Sequence, residues 1–322
     1  MFKIGFQHIR IYLFKQHTTL SMYYLVYGIL YLISLLPFFI LYAVSDFFYF
    51  ITYHIIGYRK DVVMKNLLIA FPELTGKERA EIAKQFYKNL VDSFVEMIKF
   101  LSLPEKELLK RAEMQFDECL ALSKKGLNIQ FESGHQMNWE YGNHIFSKKL
   151  TIPFVGVYMR IKNKTVDRLF YEQRKKYGTI LVEANEFKVK MHHIFKEQYS
   201  IGLIADQNPG APEHSYWLNF FGKPTPFITG PDKGARRTNC AVVFVNLVKV
   251  KRGYYKYENV VITENASSFG DGELTLLYRD FLETCIRKQP NNYLWSHRRW
   301  KWEYKPAYEK RWIDKTPPPQ LT

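Results

Sequence analysis

The chain has 322 residues, a formal net charge of +15 and 47% hydrophobic residues, with 25 Phe and 23 Tyr. Its three cysteines, Cys119, Cys240 and Cys285, are widely spaced and odd in number, which argues against a disulfide framework and favours a reducing compartment. The length suits one large domain or one domain with an appendage. The charge suits nucleic acid, an anionic membrane or an acidic partner, and the aromatic content suggests contact with lipid or a large apolar ligand.

The start of the chain is its most apolar part. Residues 16–45 contain no Lys, Arg, Asp or Glu, and Met22 to Val44 is almost wholly apolar, with Gly28 and Pro37 as candidate kinks. At about 1.5 Å per residue this run is long enough to cross a hydrocarbon core of about 30 Å. We predict a membrane anchor over residues 1–57. The alternatives are a buried core helix and a cleaved signal peptide, for which the run is too long.

Two helices are predicted between the anchor and the centre of the chain. Thr75 and Glu78 have the spacing of a capping box. The helix that they begin carries an apolar stripe at four-residue spacing, typical of core packing, formed by Ile82, Phe86, Leu90, Phe94 and Ile98. A second, shorter helix begins at Pro104.

From residue 127 onward, strands and helices alternate, which predicts an α/β domain over residues 58–312. After the first strand we predict strands at 152–158, 179–182, 200–205, 242–250 and 255–263. Helices are predicted at 165–177, 186–197 and 272–287, with another from Gly230 that follows a long loop at 211–229. The tail, 313–322, contains three consecutive prolines and is predicted to be disordered.

The segment from residue 127 to residue 140 is the best candidate for chemistry. Residues 127–131 indicate a short buried strand and 133–134 a turn, with His135 next and Glu140 five positions later. On a regular helix, five positions place side chains about 140° apart, so contact requires the His135 ring to fold back from the turn. A carboxylate on one imidazole nitrogen leaves the other as a base, which suits activating a hydroxyl for attack on a carbonyl carbon. The alternative is a histidine that only completes a helix start.

Six segments, in this order, resemble the bacterial lipid A late acyltransferases, the lauroyl and myristoyl acyltransferase family. The resemblance spans most of the chain. The segments are Tyr58-Arg59-Lys60 with Lys65-Asn66-Leu67, then Ala70-Phe71-Pro72-Glu73, then His135 and Glu140 with Asn138-Trp139, then Ala205-Asp206-Gln207, then Phe220-Phe221-Gly222-Lys223-Pro224, and finally Tyr293-Leu294-Trp295-Ser296-His297-Arg298-Arg299. One departure is Asn208, where many members carry a second Asp.

The resemblance implies a glycerolipid-acyltransferase-like fold, with a mixed, mostly parallel sheet flanked by helices. It implies transfer of a fatty acyl chain from an acyl-carrier-protein thioester to a hydroxyl of a lipid A precursor. His135 would be the general base and Glu140 would orient it. The enzyme would lie on the bacterial inner membrane with its catalytic domain on the cytoplasmic side. The acidic carrier protein suits a chain of net charge +15.

Seven further residues are predicted to bind substrate or organise the site. Arginines are expected near the phosphates of the acceptor or near the oxyanion, and Asp206 is interpreted mainly as a loop organiser. For Arg160 and Arg174 the alternative is an ordinary surface arginine. The seven are Asn138, Arg160, Arg174, Asp206, Gln207, Arg298 and Arg299.

The basic segment 286–315 interleaves tryptophans and tyrosines with arginines and lysines. A nucleic-acid stacking surface looks similar, but beside an apolar N-terminus we predict an interfacial belt on an anionic membrane, and no nucleic-acid partner. No metal site or cofactor is predicted, because His192 and His193 are adjacent without other ligands at suitable spacing, and no Gly-rich nucleotide loop is present.

Two other readings stay open. One is a phospholipid or amino-acid-lipid acyltransferase with the same chemistry, although such enzymes more often carry Asp than Glu in the His-x4 motif. The other is a membrane-tethered binding protein that has kept the fold without catalysis, against which the intact pair His135 and Glu140 argues.

Overall fold

The computed structural model describes residues 21–187, 189–190 and 196–319. Its strands, in chain order, are β1 (Ala112–Met114), β2 (Ile129–Ser133), β3 (Phe154–Tyr158), β4 (Ile180–Glu183), β5 (Ser200–Ile204), β6 (Tyr216–Phe220), β7 (Lys223–Phe227), β8 (Ala241–Lys251) and β9 (Tyr254–Thr263). Seven of them form one sheet in the order β1-β9-β8-β2-β5-β3-β4, and β6 pairs with β7 separately. Within the large sheet β8 and β9 are antiparallel and the other pairs are parallel, which confirms the predicted mixed, mostly parallel α/β sheet.

The helices, also in chain order, are α1 (Ser21–Leu35), α2 (Phe38–Phe50), α3 (Lys60–Ala70), α4 (Gly76–Lys99), α5 (Glu105–Arg111), α6 (Asp117–Lys124), α7 (Trp139–Lys149), α8 (Lys164–Lys175), α9 (Gly230–Thr238) and α10 (Glu273–Lys288). Helix α2 continues as a π-helical turn, Ile51–Ile56. The helix predicted over 186–197 falls largely on residues 188 and 191–195, outside the described residues, as do His192 and His193.

The apolar N-terminal region of the predicted anchor is divided into two helices at one of its two candidate kinks. The break is at Pro37, whose ring removes the backbone N–H that a continuous helix needs. Among the described residues, one helix, Phe38–Ile56, is long and apolar enough to cross a membrane. Only 17% of its most apolar window is buried, unlike a core helix of a soluble protein. Residues 1–20, the start of the predicted anchor, lie outside the described residues.

Helix α4 packs along α2 and begins as predicted. The Thr75 hydroxyl accepts a hydrogen bond from the backbone N–H of Glu78, and the Glu78 carboxylate accepts one from the Thr75 N–H (2.7 Å), which confirms the capping box. The apolar stripe is buried at Phe86 and Leu90, but Phe94 is 54% exposed. The stripe therefore leaves the core at Phe94, which lines a surface groove.

Apolar clusters cover both faces of the large sheet, as expected for parallel strands. Alternate residues of β8 serve the two sides, because side chains alternate along a strand. Val242 and Phe244 join a cluster with α3, α4 and α10. Val243 and Val245 join the other, with α5, α6 and α7. Strand β2 lies between β8 and β5 in the middle of this sheet, so the turn that follows it is anchored on a fully packed scaffold.

The segment 211–229, predicted as a long loop, contains the hairpin β6–β7. Its two turn residues, Phe221 and Gly222, have positive φ values of 51° and 69°, as two-residue hairpin turns require. Pro224 and Pro226 concealed the second strand, because proline disfavours strands except at sheet edges. Both strands of a two-stranded sheet are edges, so these prolines are tolerated here.

The segment 286–315 does not form the exposed aromatic belt that was predicted. Tyr293, Trp295, Trp300 and Tyr304 are buried, and the segment's other Trp and Tyr residues, Trp302, Tyr308 and Trp312, are half-buried. Their rings complete the core because a large aromatic side chain removes much apolar area from water when it is buried.

The predicted disordered tail begins with residues that bind the domain. The Asp314 carboxylate accepts hydrogen bonds from the Asn219 N–H (2.7 Å) and from Arg279 Nη1 (2.9 Å). The Ile313 N–H donates to the Trp217 carbonyl (2.9 Å). Residues 320–322 lie outside the described residues.

Candidate active site

Two loops meet at the carboxyl edge of the central strands. Strands β2 and β5 are parallel neighbours and Ser133 pairs with Ile204, so the turn after β2 lies beside the loop after β5. Such edges are where ligands bind in open α/β sheets. Gly134 lets the turn approach α10 closely, since a Cβ there would lie 2.4 Å from Leu282 Cδ1 and that side chain would have to shift.

Asp206 holds His135 at two points. The carboxylate accepts a hydrogen bond from the His135 backbone N–H (Oδ2, 3.0 Å), and its Oδ1 lies 2.5 Å from ring Nδ1. When Nδ1–H donates to an ionised Asp206, Nε2 carries a free lone pair and is the nitrogen that can act as a base. The His135 side chain is 18% exposed, so this nitrogen is within reach of a substrate.

The environment of Asp206 favours the ionised carboxylate that this arrangement needs. Its side chain is 1% exposed. Burial acts to raise the pKa of Asp206, but the charge and hydrogen bonds of His135, together with the Tyr293 hydroxyl, outweigh burial and lower the pKa to about 2. Asp206 is therefore negative across the physiological range.

Glu140 does not contact the His135 ring as the sequence analysis expected. It lies in the first turn of α7, is buried, and pairs with Arg174 of α8. Arg174 Nε is 3.1 Å from Oε1 and 3.0 Å from Oε2, and Nη2 is 2.5 Å from Oε1. The physical reason is the five-residue spacing, which turns the two side chains in different directions. Each of them therefore meets a charged or polar partner from another element.

Trp139 connects the two pairs. Its indole Nε1–H donates to Glu140 Oε1 (3.1 Å), and its ring packs edge-on against the His135 ring with 5.3 Å between centroids. The indole thus lies between the Glu140 carboxylate and the His135 ring. Arg174 has its Nε and Nη2 occupied by Glu140, and this charge raises the pKa of Arg174 against the opposing effect of its burial.

A groove of 380 Å³ opens beside this site. Trp139 and His297 line it, and so does Thr52, near the end of the apolar helix Phe38–Ile56. The remaining lining residues are Tyr58, Arg59, Leu90, Val91, Phe94, Leu294 and Ser296. The groove therefore joins the exposed apolar N-terminal region to the side chains around His135.

The other candidate residues divide into exposed and buried ones. Arg160 is 63% exposed and pairs with Glu183 (2.6 Å) near the β4 edge of the sheet, so it is not brought to His135. Arg298 is exposed, and Gln207 is half-buried directly after Asp206. Arg299 is 1% exposed, with its guanidinium carbon 4.3 Å from the centroid of the Phe227 ring.

Asn138 is buried and takes the left-handed conformation, with φ 69°. Its amide Nδ2 donates to Glu96 Oε2, away from the groove. The structure therefore gives Asn138 and Arg299 inward-facing environments, in place of the substrate contacts predicted for them.

Comparison with known proteins identifies the family. The sequence profile described as bacterial lipid A biosynthesis acyltransferase matches residues 13–302. The chain belongs to the bacterial lipid A biosynthesis acyltransferase family. It is 24% identical over 281 residues to the lipid A biosynthesis lauroyltransferase of Escherichia coli K12, covering 85% of this chain and 89% of that protein. It is 21% identical over 245 residues to the lipid A biosynthesis palmitoleoyltransferase of the same strain, covering 76% and 79%.

Family membership makes this protein an acyltransferase. The structure also brings His297 to the site, a residue whose Arg-Arg neighbours in the sequence favour lipid or carrier binding over catalysis. His297 contacts the loop after β5, since its Nε2 accepts a hydrogen bond from the Asn208 N–H (3.2 Å). Burial, with the nearby charge of Arg299, lowers the pKa of His297 to about 4, so its ring is neutral. Glu96 of α4, which lies outside the site and binds Asn138, was not predicted, because nothing in a regular amphipathic helix distinguishes one buried carboxylate from a surface one.

Proposed function

We propose that this acyltransferase moves a fatty acyl chain from an acyl-carrier-protein thioester to a hydroxyl of a lipid A precursor, with His135 as general base. The observation that carries the proposal is the contact between His135 Nδ1 and the ionised Asp206, which leaves Nε2 as the base beside a groove. Family membership and the names of the matched relatives support the acceptor class.

The proposed reaction needs one base and no resident cofactor. His135 Nε2 takes the proton of the acceptor hydroxyl as its oxygen attacks the thioester carbonyl carbon, forming the new C–O bond and a tetrahedral oxyanion. Collapse of the oxyanion breaks the C–S bond. The departing thiolate takes the proton from the imidazolium, so His135 returns to its neutral form and the products are an ester and a thiol.

Asp206 and Glu140 have different parts in this scheme. Asp206 fixes the tautomer of His135 and stabilises the imidazolium through the hydrogen bond between Nδ1 and Oδ1 (2.5 Å). Glu140, paired with Arg174, holds the Trp139 indole, which lines the groove, and ties α7 to α8. The orienting role that the sequence analysis gave to Glu140 thus falls mainly to Asp206, and Glu140 supports the turn and the groove wall at Trp139.

The groove and the exposed apolar helix support an acceptor that stays in the membrane. Phe94 and Tyr58, which line the groove, are 54% and 44% exposed, and Ile55 and Ile56, between the lining residues Thr52 and Tyr58 in the chain, are each 67% exposed. A lipid whose chains lie in a bilayer can present its headgroup to His135 along this path. We place the enzyme on the bacterial inner membrane, with the domain on the cytoplasmic side where carrier protein is found.

The test is acyl transfer by purified protein in detergent micelles, followed by mass spectrometry of the acceptor. With a lipid A precursor and acyl carrier protein carrying a fatty acyl thioester, we expect the acceptor mass to rise by one acyl chain. The His135→Ala variant should lose ~10²–10⁴-fold in turnover, the usual value of general-base assistance. Arg160→Ala is the matched control, since Arg160 lies away from His135 and its loss should leave turnover within about twofold.

Two results would count against the proposal. Transfer by His135→Ala at the rate of the Arg160→Ala control would remove His135 as the base. Transfer to a glycerophospholipid in preference to the lipid A precursor would move the acceptor to the alternative class.

A further inference from the structure

One carboxylate outside the site binds three elements at once. Glu96 of α4 is fully buried, and its two oxygens accept hydrogen bonds from three donors. Tyr42 Oη of α2 donates to Oε1 (2.9 Å), Tyr255 Oη of β9 donates to Oε2 (2.8 Å), and Asn138 Nδ2 also donates to Oε2. Burial raises the pKa of Glu96 to about 7, against which the nearby Lys249 and the phenol donors act. A buried carboxylate persists only where such partners compensate for lost water.

The donor from the site, Asn138, sets the direction of the chain between His135 and Glu140. It has φ 69° and ψ 37°, and asparagine is among the few residues other than glycine that adopt this conformation routinely. Its side chain binds Glu96, and its carbonyl accepts a hydrogen bond from Tyr257 Oη (3.1 Å). Both ends of this residue are therefore fixed by groups outside the turn.

The donor from α2 belongs to a polar strip on an otherwise apolar helix. Ser45, one turn after Tyr42, is 1% exposed and donates to Asp92 Oδ1 (2.7 Å). Asp92 lies one turn before Glu96 on α4 and also pairs with Arg252, which binds Asp46. Helix α2 thus docks on the acidic face of α4, at the carboxylate that holds the catalytic turn.

We propose that Glu96 is a positioning residue for acyl transfer, holding Asn138 and the turn between His135 and Glu140 against Tyr42 of the apolar helix. The inference rests on the proposed function, since turnover is its readout. Its consequence is that α2 is part of the support of the site as well as a membrane contact. The rate of acyl transfer from the soluble carrier-protein thioester then depends on the Tyr42 hydroxyl of α2.

The test measures kcat and KM for the carrier-protein thioester at saturating acceptor in micelles, with thermal midpoints and the membrane-bound fraction. Asn138→Asp keeps the left-handed preference but sets a second carboxylate against Glu96. We expect it to lower kcat at least ~10-fold with KM within about twofold, because small misplacements of catalytic groups cost up to about 10²-fold. Glu96→Leu should do the same, whereas Glu96→Gln, which still accepts from Asn138, should retain about a third of the wild-type kcat or more.

Two comparisons separate positioning from general damage to the fold. The double variant Glu96→Gln/Asn138→Asp restores the hydrogen bond in the opposite direction, with the amide at position 96 donating to the carboxylate at position 138. Its kcat should therefore be at least about fivefold higher than that of Asn138→Asp alone. Tyr42→Phe should lower kcat about threefold or more without changing the membrane-bound fraction. Tyr49→Phe, the same change on the same helix at a ring that stacks on Tyr53 and does not bind Glu96, should have no effect on either.

Each outcome has a defined meaning. If Asn138→Asp keeps the wild-type kcat, if the double variant recovers nothing, or if Tyr42→Phe matches Tyr49→Phe, the inference is overturned while the proposed function stands. If the wild-type protein transfers no acyl chain from the thioester, the proposed function itself fails. Should Glu96→Leu fail to fold, the Asn138 pair and the two tyrosine variants still decide the question.

Discussion

The turn at residues 133–140 and the segment at 286–315 both attracted functional predictions, and they differ in how their polar groups are used. In the turn, His135 and Glu140 each bind a charged partner, and Trp139 between them lines a groove. In the segment, the tryptophans complete the core and Arg299 is buried among aromatic rings. The short motif at 133–140, which follows a central strand, indicated a site. The aromatic and basic composition of 286–315 predicted an exposed membrane-binding surface that this segment does not form.

The difference follows from topology. The place of the turn is fixed by β2, which is central in the sheet and paired on both sides. The place of the later segment depends on tertiary packing, which composition does not specify. Four changes test this contrast, beginning with the largest expected effect.

Trp295→Ala should destabilise the fold by about 3–5 kcal/mol, because it removes a fully buried indole that packs against Phe71. Chemical denaturation in micelles measures the loss. Trp302→Ala is the control, since Trp302 is half-buried, and a clearly smaller cost is expected. If both variants stayed stable and both lost membrane binding, the segment would be the interfacial belt after all.

Arg174→Gln should destabilise the protein by about 3 kcal/mol, because it leaves the buried Glu140 carboxylate without its ion-pair partner. The double variant Glu140→Gln/Arg174→Gln removes both charges and should be more stable than the single variant. Urea unfolding of both proteins is the measurement. Equal stability of the single variant and the wild type would show that this pair contributes nothing to the joint between α7 and α8.

The stability of the wild type should fall in acid relative to Asp206→Asn. The folded pKa of Asp206, about 2, lies below the ordinary value of 3.8. Its contribution is therefore fully present above about pH 4 and is lost as the pH falls through 2, by about 2 kcal/mol. Thermal midpoints of both proteins across this range provide the check. Parallel pH curves would mean that the carboxylate gains nothing from His135.

Arg298→Glu should have the smallest effect, raising KM for the carrier-protein donor up to about tenfold at low salt and less as salt screens the charges. Arg298 is the exposed member of its pair, and Arg299 is buried, so only Arg298 has a charge to offer a docking protein. Arg160→Glu supplies the same charge change at another exposed arginine. The measurement is the initial rate with each donor, the carrier-protein thioester and the coenzyme A thioester, across a salt series. An equal change in KM for the carrier-protein donor in Arg298→Glu and Arg160→Glu would contradict the prediction.

Much of the fold follows from local sequence, and the partners in the site do not. The strand before His135, the capping box at Thr75 and Glu78, and the strands predicted after residue 150 agree with the structure within a few residues. The break at Pro37 was foreseen as a kink. The hairpin β6–β7 was hidden by its prolines, and the partner of His135 was misassigned because Asp206 is 71 positions away and meets it only through strand pairing.

The central claim is that Asp206 acts through His135, whereas Glu140 supports the turn separately. The direct measurement is kcat for His135→Ala, Asp206→Asn and Glu140→Gln, and for the two double variants that contain His135→Ala, with a mass-spectrometric assay sensitive enough for residual turnover. Residues that act as a unit are non-additive. We expect Asp206→Asn to lower kcat by at least ~10²-fold when His135 is present. In the His135→Ala background the same substitution should change kcat by less than about twofold, whereas Glu140→Gln should still lower it. The contrary result has two parts, both measured in the His135→Ala background: Asp206→Asn lowers kcat as much as it does in the wild type, and Glu140→Gln no longer lowers it. That result would contradict the account and return the orienting role to Glu140.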